Sequence, residues 1–138
     1  MKSYTDLEQS KMLAEILSIE SADMCLTFVN NIWNPVWGKT DDIYKLQKDC
    51  YEPDYTKDEY VDFDEFEPKV VPCWSLAALL GVLPNKLQIA LAINDFQGDR
   101  KEKYAIGSVE HDKYDCFADN PIDACYEMIL KLHELKML

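Results

Sequence analysis

A chain of 138 residues and 16.0 kDa, 48% apolar and 29% charged, has the size and composition of one compact domain. At this length about two-thirds of the unfolded surface is buried on folding, enough for a core without disulfide or metal staples. The formal net charge of -12 and isoelectric point near 4.4 create a field that repels phosphate backbones and anionic lipid, which disfavours direct nucleic-acid and membrane-surface binding and favours basic protein partners.

Five cysteines, Cys25, Cys50, Cys73, Cys116 and Cys125, form an odd set with no C-x-x-C pair. A disulfide framework or a zinc site is therefore not expected. The N-terminus, MKSYTDLEQS, turns polar at once and lacks the apolar core of a signal peptide, so a reducing cytoplasm is the expected setting.

In chain order, Thr5 and Glu8 have the spacing of a capping box and predict a first helix with Met12, Leu13, Ile16 and Leu17 as its apolar stripe. Residues 24–29, MCLTFV, predict a short strand that Asn30 and Asn31 stop. The following NNIWNPVWGKTDD reads as a loop around an Asn34-Pro35 turn. Its tryptophans, Trp33 and Trp37, are expected to fold back onto the core, with stacking on a sugar or base as the alternative. Pro72 and Gly81 bracket an apolar run that predicts a short buried helix from Cys73 to Leu80, closed by Gly81 in a left-handed cap.

Leu87, Ile89, Leu91 and Ile93 alternate with Gln88, Ala90, Ala92 and Asn94, the period of a half-buried strand. A turn at DFQGDR leads to a second strand around Tyr104, Ile106 and Ser108, and a turn at Glu110 to Asp112 leads to a third around Tyr114 to Phe117. The last helix is announced by Asn120 as cap, Pro121 at the first position and Asp123 in the first turn. Ile122, Cys125, Met128, Ile129, Leu132 and Leu135 form its apolar face. That face is wide enough to admit a second copy of the chain, so a homo-oligomer is open. The expected fold is α+β in one domain, with a mostly antiparallel sheet of three to four strands. An N-terminal helix, a short buried central helix and a C-terminal helix pack on that sheet.

Two segments, PCWSLAALL at 72–80 and NPIDACYEMILKLHELK at 120–136, resemble a group of small uncharacterised proteins of bacterial phages and mobile elements. The shared pattern comprises Pro72, Trp74 to Leu76, Ala78 to Leu80, Asn120, Pro121, Asp123, Ala124 and Lys131 to Glu134, about a quarter of the chain. The resemblance implies a shared fold and a bacterial context. It brings no activity, cofactor or catalytic residue.

No cofactor loop or catalytic constellation stands out. Cys73 at a helix N-terminus could act as a thiolate nucleophile with His111 or His133 as base, but its apolar neighbours suggest burial and no glycine-rich oxyanion segment accompanies it. The run DEYVDFDEFE at 58–67 lacks the glycine of an EF-hand loop. Paired carboxylates are abundant, and nothing distinguishes one pair from another.

The outstanding feature is the stretch from Asp49 to Pro68, where nine carboxylates against one lysine supply -8 of the -12 and five aromatic rings are interleaved. Asp54, Asp58, Asp62, Asp64, Glu65 and Glu67 could offer charge, and Tyr55, Tyr60, Phe63 and Phe66 apolar grip, to a basic protein partner. The competing reading is a solvated loop anchored by its rings. The function expected is that of a non-enzymatic accessory or interaction domain of a mobile element, with a thiol-dependent enzyme on Cys73 as alternative.

Overall fold

A computed structural model describes residues 2–94, 101–109 and 115–138. The DFQGDR turn, the turn at Glu110 to Asp112, His111 and Tyr114 lie outside the described residues. The fold is α+β, as expected, but its strands form two separate three-stranded antiparallel sheets.

Helix α1 (Leu7–Ile16) is followed by the hairpin of β1 (Met24–Val29) and β2 (Ile32–Trp37), helix α2 (Thr40–Asp49), strand β3 (Val70–Cys73) and helix α3 (Leu76–Gly81). Then come β4 (Ile89–Ile93), β5 (Tyr104–Ser108), β6 (Cys116–Ala118) and α4 (Pro121–Glu134). The first sheet has the order β2-β1-β3, the second β4-β5-β6. Among the described residues no helix is long and apolar enough to cross a membrane.

Helix α4 follows the sequence closely, and the second sheet does so except that β4 starts at Ile89, Leu87 closing a 3-10 turn and Gln88 being left-handed with φ 48°. The Asn120 side chain accepts from the Asp123 N–H at 2.9 Å, Pro121 takes the first position, and Ile122, Cys125, Met128, Ile129 and Leu132 are fully buried. They pack with Leu13, Trp74, Leu79 and Ile106 in the larger core. The apolar face of α4 is thus covered within the chain, while Leu135 is exposed.

Three local expectations are corrected. The capping box of α1 is Asp6 with Gln9, one residue on from Thr5 and Glu8, because the Thr5 hydroxyl is occupied elsewhere: it accepts from the Trp74 N–H at 3.1 Å and bonds the Ser10 hydroxyl at 2.8 Å. Residues 32–37 form β2 rather than a loop. Asn30 and Asn31 both adopt positive φ, 53° and 64°, the conformation of a two-residue hairpin turn whose twist suits the flanking strands. Residues 40–49 form α2, so the expected loop over 30–42 gives way to helix at its last three residues.

The expected helix start at Cys73 is corrected as well. It ends β3, and α3 starts later, capped by Ser75, whose hydroxyl accepts from the Ala78 N–H. Pro72 lies in the strand, and Gly81 is helical, the helix closing at Val82 without a left-handed residue.

Both edges of the first sheet carry a proline, Pro35 in β2 and Pro72 in β3. The Phe28 N–H donates to the Lys69 carbonyl at 3.1 Å, so the even-numbered residues of β1 face β3 and the odd ones face β2. Pro35 is paired with Leu26 and Pro72 with Cys25. Each proline nitrogen therefore points away from the sheet, where it removes a donor from the open edge and blunts pairing with another strand.

Candidate docking surface

Residues 50–69 connect α2 to β3 as an irregular surface segment, and its order comes from helix α2. Tyr44, Lys48 and Tyr51 recur at helical spacing, four and then three residues apart, so they fall on one side of α2 and its exit. The Lys48 ammonium donates to the Phe63 carbonyl at 2.8 Å and to the Phe66 carbonyl. It also lies 5.5 Å and 5.9 Å from the centres of the two rings, a cation–π arrangement. Tyr51 stacks on Phe66 with centroids 3.8 Å apart and planes 8° from parallel, and its hydroxyl donates to the Val61 carbonyl at 2.6 Å. The Tyr44 hydroxyl donates to the Glu67 carboxylate, which raises the Tyr44 pKa because the phenolate would face a carboxylate.

Pinned in this way, the segment turns most of its side chains outward. Asp54, Asp58, Asp62, Asp64, Glu65 and Glu67 are all exposed. Asp54 accepts from the Thr56 hydroxyl at 2.5 Å and its N–H at 3.1 Å, bonds that hold its carboxyl below the usual range. The rings divide. Phe66 is half-buried on Tyr51, while Tyr55, Tyr60 and Phe63 stand in solvent, with Tyr55 and Tyr60 edge to face at 4.8 Å. The ten residues singled out in the sequence therefore share one surface segment. Nine are exposed, and Phe66 serves chiefly as an anchor.

Beside this segment lies a cleft of about 360 Å³. Phe28 and Val29 at the hairpin end of β1, Gln47 and Cys50 at the end of α2, and Phe66, Glu67 and Lys69 on the returning chain line it. Sequence reasoning missed Tyr44, Lys48, Tyr51 and this cleft. The helical spacing of the first three was a signal for α2 and its aromatic clamp. Nothing in the sequence foretells the cleft, whose walls come from three separate elements.

A wider groove of about 550 Å³ runs beside β6 and α4, with Glu102, Asp115, Asp119, Asp123 and Glu127 among its lining. The Asp123 carboxylate there accepts from Lys2 at 2.8 Å, Gln9 at 2.8 Å and Asn120 at 2.7 Å. Among the described residues no three His, Cys, Asp or Glu groups are arranged to hold a metal ion.

Cys73 sits apart from both concavities. It is fully buried, its thiol donates to the Thr5 carbonyl at 3.4 Å, and the Thr5 hydroxyl is 3.6 Å from its sulfur. Burial pushes its pKa up, more than its hydrogen bonds to Thr5 and Ser10 bring it down. It has lost the helix N-terminus that motivated a thiolate. His133 is exposed at the far end of α4. Comparison of the chain with protein-family models, with curated proteins and with solved structures finds no match.

Proposed function

We propose that this chain is a non-enzymatic accessory or protein-interaction domain, of a phage or mobile element in a bacterial cytoplasm, whose acidic aromatic surface docks a basic protein partner. The single observation that carries this reading is the arrangement of residues 54–67 as an ordered, outward-facing set of carboxylates and rings. Three contacts, from Lys48 in α2 and Tyr51 just past its end, hold the segment in place, so little ordering entropy remains to be lost on binding. The exposed carboxylates supply long-range attraction and orientation, and the exposed rings supply the apolar contact area that charge alone does not.

Docking through the open edges of the first sheet is disfavoured by Pro35 and Pro72, which leaves side-chain recognition as the mode. The alternative, a thiol-dependent enzyme on Cys73, is weakened by the burial of that thiol, which lines neither concavity.

The test is capture from the native host's lysate on immobilised wild-type chain and on a variant with Asp62→Asn, Asp64→Asn, Glu65→Gln and Glu67→Gln together. The expected result is a basic protein retained by the wild type, released at about 1 M salt, where charges are screened within about 3 Å, and not retained by the variant. Capture that survives both the neutralisation and the salt would overturn the acidic docking reading.

A further inference from the structure

The 360 Å³ cleft is at the small end of the range for ligand sites, with room for one large side chain rather than an extended cofactor. Its apolar walls are Phe28, Val29 and Phe66. Two of these are held by other rings: Phe28 lies against Trp33 with centroids 5.2 Å apart, and Phe66 is stacked on Tyr51. The walls are therefore set before any guest arrives, which lowers the cost of binding.

The polar atoms at the cleft are few. The Lys69 ammonium lies 5.0 Å from the Phe28 ring centre, where it can also donate to a carbonyl of an entering backbone. Glu67, on the same stretch of chain, contributes a carboxylate. Immediately before Phe66, the N–H groups of Glu65 and Phe66 both bond the Asp62 carbonyl at 3.0 Å. That tight turn sets the exposed residues Asp62, Asp64 and Glu65 in the stretch of chain that runs directly into Phe66, a wall of the cleft. A guest in the cleft thus sits in apolar surroundings at the margin of a strongly negative segment.

We infer that the cleft receives one aromatic side chain of the partner, presented between lysines or arginines whose charges fall on the adjoining acidic turn. The inference rests on the docking reading above and adds the anchor that would make it selective. The excess of carboxylates in the adjoining segment favours a basic guest over an acidic one, and the blunted edges of the first sheet favour recognition of a side chain over an added strand there.

Anisotropy titrations of the full chain at low ionic strength, with two labelled, end-capped pentapeptides, test it. One peptide has tryptophan between two lysines on each side, the other alanine at the centre. The tryptophan peptide is expected to bind about tenfold more tightly, the effect of burying one large apolar side chain. Val29→Trp, at a position 45% exposed, fills the cleft from its rim. It should abolish that preference, with circular dichroism reporting an intact fold. In the unmodified chain, the tryptophan peptide should also slow modification of the exposed Cys50 thiol, and the alanine peptide should not.

Equal affinities for the two peptides, or a preference that survives Val29→Trp without protection of Cys50, would overturn the anchor and leave the acidic docking surface standing. If neither peptide binds, the docking reading falls and the anchor falls with it.

Discussion

Trp74 and Trp37 flank the same strand: Met24 in β1 pairs with Trp37 on one side and with Cys73, the neighbour of Trp74, on the other. Yet Trp74 is 0% exposed and Trp37 69%. Around Trp74 the chain assembles its larger core, and each nearby polar group has a partner. The indole donates to the Ser21 hydroxyl at 2.9 Å, the Thr5 N–H to the Trp74 carbonyl at 3.0 Å, and Ser75 bonds Asp23 through both hydroxyl and N–H. From Trp37 to Phe63, by contrast, lie all the exposed aromatic rings among the described residues: Trp37, Tyr44, Tyr55, Tyr60 and Phe63. The same residue type is core in one region and surface in the other because only the first has elements on every side. Rings left in solvent in the second region are what a docking surface requires and what stability does not.

The largest effect that would break this comparison is on the two tryptophans. Trp74→Ala removes a fully buried indole and should cost about 3–5 kcal/mol in urea unfolding. Trp37→Ala should stay within about 0.5 kcal/mol. Similar losses at both positions would mean that β2 carries as much of the fold as the junction at Trp74.

Next in size is Thr5→Val, which keeps the shape and deletes the hydroxyl that receives the Trp74 N–H. Leaving that buried donor unpaired should cost about 1–3 kcal/mol, read by the same unfolding experiment. A neutral result would show that the N-terminal segment is not a true part of the core.

Thiol chemistry separates the regions by rate. Burial pushes the Cys25 thiol to about 11 and Cys125 to about 12, and Cys73 is raised as well, whereas Cys50 is exposed at the cleft. A disulfide reagent near neutral pH should modify Cys50 fast, and Cys25, Cys73 and Cys125 only as fast as the protein opens. Native-state labelling of Cys73 ahead of Cys50 would revive the thiol-enzyme reading.

These contrasts also show what was legible in the sequence. Helix α4 was, because its cap, its proline and its apolar period act within one helix and agree with one another. So were β1 and the β4-β5-β6 meander, where alternation or a branched run coincides with the observed strand. What escaped depended on distant partners. Asp6 rather than Thr5 caps α1 because Trp74, far along the chain, claims the Thr5 hydroxyl. Asn34-Pro35 looked like a turn, yet a proline fits an edge strand when its nitrogen points outward. The acidic segment was visible as composition. Which of its rings anchor and which stay free is decided by Lys48 in α2 and Tyr51 just past its end, and no helix is expected there from the sequence.

The smallest effect concerns the ion pairs of the first region, where the Lys2 ammonium lies 3.0 Å from Asp6 and 2.8 Å from Asp123. Partial burial pulls the Lys2 pKa down, but the bonds to the two carboxylates outweigh it and leave it above its ordinary 10.5. Burial likewise pushes Asp6 and Asp123 up, and hydrogen bonds from Gln9 and Lys2 to both, with Asn120 added at Asp123, bring them below 3.8. The carboxylates therefore stabilise the fold fully above pH 3.8, an effect lost as pH falls through their lowered folded values. Lys2 contributes fully below pH 10.5 and loses its effect as pH rises through its raised folded value. All three groups are partly in solvent, so Lys2→Met should destabilise by less than about 1 kcal/mol at neutral pH. The difference between wild type and variant should shrink toward both ends of that window in urea unfolding at several pH values. A Lys2→Met difference that does not change with pH would instead assign the contribution to the packing of the lysine stem against α1 and α4.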